Sequence, residues 1–292
     1  LSDFWAPESS TAEPPRYRKR TTTSHPRRRF YPLTGRDRRS DLGRRGAGDP
    51  RDLGQRRATL EFEAVHVFGG HDLPHLQPVT PADVRRFLAD GGRVGLFLRH
   101  AERHPITPET PNWGNDVPLT DRGEADAESL GQSLSGGVRL ALWSSPVQRC
   151  QRTTEAIAKG AGLAGAEIAT HTHLGGPGIY FDPDGGAPDL LRTDFHAFAD
   201  AYLDRGVAEG MRPVPEASEN LLAFLDHQMA EADCTVFVTH DFFAAALMSF
   251  LGLKAPDRSD WCRYLEGVFI LKGPGGGTRY RRFLFEAEDR RC

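Results

Sequence analysis

The chain has 292 residues, of which 38% are hydrophobic and 26% charged, and a net charge of −3. That is enough apolar material for a sizeable core, in one large domain or two small ones. The near-neutral balance excludes a molecule that binds nucleic acid over its whole surface, no run approaches the roughly 18 apolar residues of a membrane span, and no signal peptide is expected.

Residues 1–60 differ from the rest. Up to Arg57 they hold fifteen basic side chains against seven acidic ones, spaced by Pro, Ser, Thr and Gly, with no helical or strand period. This composition predicts a disordered extension, which leaves residues 61–292 as the folded, acidic domain. A sharper reading, ranked behind it, makes the extension an arm that contacts nucleic acid or an acidic surface. A third takes it as translated sequence upstream of the true start.

Within the domain, a weak alternation over 60–68 suggests a strand. Thr80 as N-cap, Pro81 at the first helical position and Asp83 behind it predict a helix with Val84, Phe87 and Leu88 on its apolar stripe, ended by Gly91. Residues 94–98 are an apolar run too short for a helix and read as a buried strand. A loop at 105–118 contains Trp113. Thr120 caps the next helix, with Ala125, Leu130 and Leu134 on its apolar face. Residues 140–143 form a second strand, and Ser145 and Pro146 suit the N-cap and first position of the helix behind it. A long Gly-, Pro- and Asp-rich loop follows at 160–187, with a short strand at 167–170. Then come helices at 189–202 and from Ser218, a β-branched strand at 235–239, an apolar helix at 242–251, and a hairpin pairing 267–272 with 278–285. This alternation predicts an α/β fold.

Three strands end in polar groups, at the sheet edge where α/β proteins place ligands. Arg99, His100 and Arg103 follow the first. Ser144, Ser145 and Arg149 follow the second, at a helix N-terminus that favours anions. His240 and Asp241 follow the third. Arginine forks match phosphate oxygens, so the set reads as an anion site. Asp182 and Asp184 suit turns better than a site. His171 and His173 lack partners for a metal site. Cys150, Cys234, Cys262 and Cys292 show no zinc spacing, and reduced thiols point to the cytoplasm.

These residues resemble the histidine phosphatase superfamily, also called phosphoglycerate mutase-like. Its Arg-His-Gly-x-Arg motif is similar to Arg99-His100-Ala101-Glu102-Arg103, with Ala101 in place of Gly. Its Leu-Thr-x-x-Gly is similar to Leu119-Thr120-Asp121-Arg122-Gly123, its Ser-Ser-x-x-x-Arg-x-x-x-Thr to Ser144 through Thr153, and its late Thr-His to Thr239-His240.

The resemblance implies a three-layer α/β/α fold with a mostly parallel central sheet. It also implies a phosphatase that hydrolyses phosphomonoesters through a phosphohistidine on His100. Arg99, Arg103, Arg149 and His240 would bind the phosphoryl group. Asp241 would be the general acid, with Asp182 and Glu102 as rivals. No metal or cofactor is expected. The expected substrate is a small phosphorylated metabolite, selected by the 105–118 loop with Trp113 and the 160–187 loop with Tyr180 and Phe181. A phosphoprotein substrate, a phosphoglycerate mutase-like phosphotransferase and a non-catalytic phosphate-binding regulatory module are the alternatives.

Overall fold

The computed structural model describes residues 78–107, 110, 114–184, 194–255, 257–273 and 277–286. The basic extension, the strand expected at 60–68 and Trp113 lie outside the described residues.

Six strands form one sheet: β1 (Arg93–Arg99), β2 (Leu140–Ser144), β3 (Ala169–Thr170), β4 (Cys234–Thr239), β5 (Glu266–Lys272) and β6 (Thr278–Leu284). Their spatial order is β3-β2-β4-β1-β5-β6. The first four run parallel; β5 is antiparallel to β1, and β6 to β5. The helices are α1 (Pro81–Ala89), α2 (Asp121–Leu134), α3 (Gln148–Gly160), α4 (Phe195–Arg205), α5 (Val214–Gln228) and α6 (Asp241–Phe250).

Strand pleating divides the core into two layers, because successive side chains point to opposite faces. Val94, Leu96 and Leu98 of β1 pack with Val84, Leu130 and Ile157 from α1, α2 and α3. Phe97 of β1 and Phe237 of β4 point the other way, toward Ala199, Leu221 and Leu247 from α4, α5 and α6. The strands β1 and β4 are buried on both faces, which is why their sequences are continuous apolar runs. The result is a three-layer α/β/α fold with a mostly parallel sheet.

Local chemistry sets most boundaries. Thr80 and Asp83 form a capping box at α1, with Asp83 Oδ2 accepting from Thr80 N–H at 3.0 Å. Thr120 Oγ1 accepts from Gly123 N–H at 3.0 Å and starts α2. Gly123 is needed there because a Cβ would lie 2.1 Å from the Glu102 carbonyl.

Several expected boundaries move, among them the end of α4, at Arg205 and not 202. Helix α3 begins at Gln148 with Val147 as N-cap, not at Ser145 and Pro146; the Ser145 hydroxyl bonds His240 and also accepts from Val147 N–H at 3.3 Å. Helix α5 begins at Val214, four residues before Ser218, with Pro215 in its first turn. The short strand β3 keeps only Ala169 and Thr170 of the expected 167–170.

Candidate active site

Strands β2, β4 and β1 are neighbours and parallel, so their carboxyl ends share one edge. Arg99 is paired with Thr239, and Ser144 with Val238. The ladder continues one residue past the strands: His100 N–H donates to Thr239 O and Ser145 N–H to Val238 O, both at 2.9 Å. Three separate turns are thereby fixed side by side.

His100 is buried, 2% exposed. Its Nδ1 lies 2.8 Å from the Ala101 carbonyl oxygen. A carbonyl only accepts, so Nδ1 carries the proton and Nε2 presents its lone pair. Arg149 Nε donates to that Nε2 at 3.2 Å. Ala101 is fully buried, and its N–H donates to Thr153 Oγ1 at 3.0 Å. Leu265 alone among the described non-glycine residues has a positive φ, so Ala101 sits in ordinary backbone and tolerates its Cβ.

Arg149 also donates to the Gly114 carbonyl at 2.9 Å and, through Nη2, to His240 Nδ1 at 3.1 Å. His240 Nδ1 is therefore the acceptor, and its Nε2–H donates to Ser145 Oγ at 3.0 Å. Gly175, with φ at 140°, lets the chain pass against this pair; a Cβ there would come within 2.5 Å of the His240 ring and 2.7 Å of Ser145 Oγ. Burial and then Arg149 bring His240 down to about 3, against the pull of Asp241. Burial, followed by His240, Arg99 and Arg149, holds His100 well below 6.5. Both imidazoles are neutral at neutral pH.

Arg99 Nη2 lies 3.2 Å from Asp241 Oδ2, and Arg99 Nη1 donates to the Cys262 carbonyl at 2.5 Å. Asp241 opens helix α6, and its Oδ1 accepts from Phe242 N–H at 2.8 Å. Burial alone would raise Asp241, but Arg99, with His100 and His240 after it, outweighs burial and brings the carboxyl to about 2. Arg103 Nη1 donates to its neighbour His104 O at 2.8 Å. The Nε atoms of Arg99 and Arg103 are buried without a partner among the described residues. Unsatisfied buried donors on cations are costly, and an anion that accepts from either would remove that cost.

The other candidates fall elsewhere. Glu102 Oε2 accepts from Thr120 Oγ1 at 2.8 Å and ties the loop to α2. Asp182 Oδ1 accepts from Asp184 N–H at 3.0 Å, a bond within its own turn. Tyr180 is no pocket wall: it is fully buried in the core, 3.0 Å from Ser218 Oγ, and Phe181 packs against the same cluster. His171 stacks on Phe224, and His173 meets the same ring edge-on. Among the described residues no group of three His, Cys, Asp or Glu side chains is arranged to hold a metal ion.

Sequence reasoning missed Tyr264, whose ring lies 4.1 Å from the Arg99 guanidinium carbon and 5.9 Å from the His100 ring centroid. It also missed the Cys262 and Gly114 carbonyls. Backbone acceptors leave no residue-type signal, and Tyr264 sits in an aperiodic loop.

No curated protein matches the chain in sequence. Among solved structures it is similar to phosphoglycerate mutase from Bacillus anthracis str. Sterne, with 16% identity over 65% of this chain and 92% of that one and a TM-score of 0.46. It is similar to mycobacterial glucosyl-3-phosphoglycerate phosphatase, with 18% identity over 68% of this chain and 100% of that one and a TM-score of 0.47. It is also similar to a phosphoserine phosphatase mutant from Entamoeba histolytica in complex with phosphoserine, with 14% identity over 67% and 97% and a TM-score of 0.44. The family model described as histidine phosphatase superfamily (branch 1) matches residues 96–283, well over half of the sequence. The chain belongs to the histidine phosphatase superfamily.

Proposed function

We propose that the protein is a metal-independent phosphomonoesterase that works through a phosphohistidine on His100 and acts on a small phosphorylated metabolite. The observation that carries this reading is the His100 tautomer: Nδ1–H is committed to the Ala101 carbonyl, so the Nε2 lone pair faces the arginine cluster.

In the first step Nε2 attacks phosphorus, the P–O ester bond breaks, and the leaving oxygen takes a proton from Asp241. Arg99, Arg103 and Arg149 neutralise charge on the equatorial oxygens, which is most of the catalysis in phosphoryl transfer. In the second step water attacks phosphorus, gives its proton to the Asp241 carboxylate, and the P–N bond breaks to release phosphate and neutral His100.

Beside Arg99 the Asp241 carboxyl is ionised at neutral pH and must be protonated to act as the acid. A phosphoryl group entering beside it competes for Arg99 and adds negative charge, and both effects raise the carboxyl's proton affinity. Phosphomonoesters have a second pKa of about 6, so the substrate monoanion can supply the proton.

The catalytic domain of this reading starts near residue 61, with the basic extension outside it. Three buried free thiols, Cys150, Cys234 and Cys262, support a reducing compartment such as the cytoplasm. The test is p-nitrophenyl phosphate hydrolysis with and without EDTA. Turnover that survives the chelator and disappears in His100→Ala is the expected result. Phosphate-induced thermal stabilisation without turnover favours the non-catalytic binding module instead.

A further inference from the structure

Arg99 is held on three sides. The Tyr264 ring covers its face at 4.1 Å, the Cys262 carbonyl accepts from Nη1, and Asp241 meets Nη2. Nε is buried and without a partner among the described residues, and Nη1 and Nη2 each keep a second N–H that can meet an anion. Two of the three constraints come from one short segment, Cys262 to Tyr264, which the mechanism above does not use.

That segment is itself clamped. Glu266 is fully buried, and its carboxylate accepts from Arg263 N–H at 2.6 Å, from Lys254 Nζ at 3.0 and 3.2 Å, and from Arg282 Nε at 2.6 Å. Lys254 also reaches the Trp261 carbonyl at 3.4 Å and Asp260 at 3.3 Å. Between the clamp and Tyr264, Leu265 adopts φ 55°, a left-handed conformation that a residue with a Cβ enters only where its surroundings impose it. The Leu265 side chain is buried in the core while half-buried Tyr264 lies against Arg99. The strained turn and the buried ionic clamp thus fix the position of one aromatic ring.

We propose that Tyr264 is a positioning residue of the phosphoryl site, holding the Arg99 guanidinium in its anion-binding pose through the ring face, with Glu266 anchoring the segment that presents it. The proposal rests on the phosphoryl-site reading only in taking phosphate as the anion. A long arginine stem has many rotamers, and an anion site gains affinity when they are restricted beforehand. The ring face acts through the guanidinium's charge, so the hydroxyl is not required.

The experiment measures inorganic phosphate binding to the full chain by calorimetry, with thermal stability alongside. Tyr264→Phe should bind as wild type does. Tyr264→Leu and Tyr264→Met, which keep apolar bulk without a ring face, should bind about tenfold more weakly; the second variant stands in if the first fails to fold. In an Arg99→Ala background the same Tyr264 substitutions should cost no further affinity, because Tyr264 acts through Arg99. Unchanged binding in Tyr264→Met overturns the proposal. So does an equal loss in Tyr264→Phe, or a full additional loss in the Arg99→Ala background. Wild type that binds phosphate but turns over no ester contradicts the phosphatase reading and leaves this test intact, since its readout is affinity.

Discussion

Arg149 Nε lies 3.2 Å from Nε2 of His100, so a guanidinium donates to the lone pair that, on the proposed mechanism, attacks phosphorus. The contact orients the imidazole and, on that mechanism, places a cation beside the incoming phosphoryl oxygens. The same side chain reaches His240 Nδ1 at 3.1 Å. A lysine ammonium is a point charge and cannot span both partners. Arg149→Lys should lower kcat on p-nitrophenyl phosphate by about 10²–10³-fold, the usual effect of losing one transition-state donor. Steady-state kinetics checks this, and a loss below about tenfold contradicts it.

Asp241 is ion-paired to Arg99 at 3.2 Å, which leaves two functions to separate: proton donor and electrostatic partner. Proton donation matters in proportion to how poor the leaving group is. Asp241→Asn should therefore reduce turnover of an alkyl phosphate by about 10²–10⁴-fold and that of p-nitrophenyl phosphate far less. Equal losses on both substrates would assign Asp241 to holding Arg99 alone.

The buried imidazoles make stability depend on pH. His240 falls to about 3 and His100 well below 6.5, whereas in the unfolded chain both return to about 6.5. Between the native and unfolded values the unfolded state binds more protons, so stability rises with pH there and is lost on acidification. The expected slope below pH 6.5 is at most ~1.4 kcal/mol per pH unit for each group. Asp241, lowered from 3.8 to about 2, adds a further loss at still lower pH. His240→Gln should show a shallower fall in Tm between about pH 6.5 and 4. Equal slopes in wild type and variant would contradict the neutral, buried His240. By the same argument the acid limb of kcat/KM set by His100 should lie well below 6.5.

Much of this architecture is legible in the sequence, because its elements depend on local signals. The runs around Leu96 and Val236 can only be strands buried on both faces, and the Thr80–Asp83 box marks a helix start without any tertiary help. Arg99, His100, Arg149 and His240 are legible for a different reason: each stands at the end of a strand, directly behind one, or in the first turn of the helix that follows. Ser145 misleads because its hydroxyl does accept from a backbone N–H two residues on, Val147, yet the helix starts only at Gln148 and the same hydroxyl meets a histidine 95 positions away in sequence. Tyr180 misleads because its loop is rich in turn residues, yet its ring is drawn into the α4–α6 core layer. Both outcomes are decided by long-range packing, to which periodicity is blind.

Glu266 is the strongest stability prediction. Glu266→Gln leaves Lys254 and Arg282 facing a neutral amide, with the Lys254 side chain only 9% exposed. Removing one partner of a buried ionic cluster typically costs about 3–5 kcal/mol. The exposed pair Arg152–Glu155, at 2.8 Å, is the contrast, and Glu155→Gln should cost less than about 1 kcal/mol. Urea unfolding of the two variants checks the ranking, and similar losses would contradict it.

Gly175 tests the geometry of the His240 pocket. With φ at 140° and a prospective Cβ within 2.5 Å of the ring, Gly175→Ala must displace His240 or Ser145. The expected outcome is a loss of about tenfold or more in kcat/KM, consistent with an ångström-scale misplacement of a catalytic group, checked by steady-state kinetics with circular dichroism as the folding control. Full activity in the alanine variant would mean that His240 does not need its present position.

The most direct measurement is rapid acid-free quenching of the enzyme during turnover, followed by intact-mass and peptide analysis for a phosphoryl adduct. The account predicts one acid-labile phosphoryl group on His100, formed before phosphate release and absent in His100→Ala. Turnover that persists in His100→Ala, or an adduct on any other residue, would contradict it.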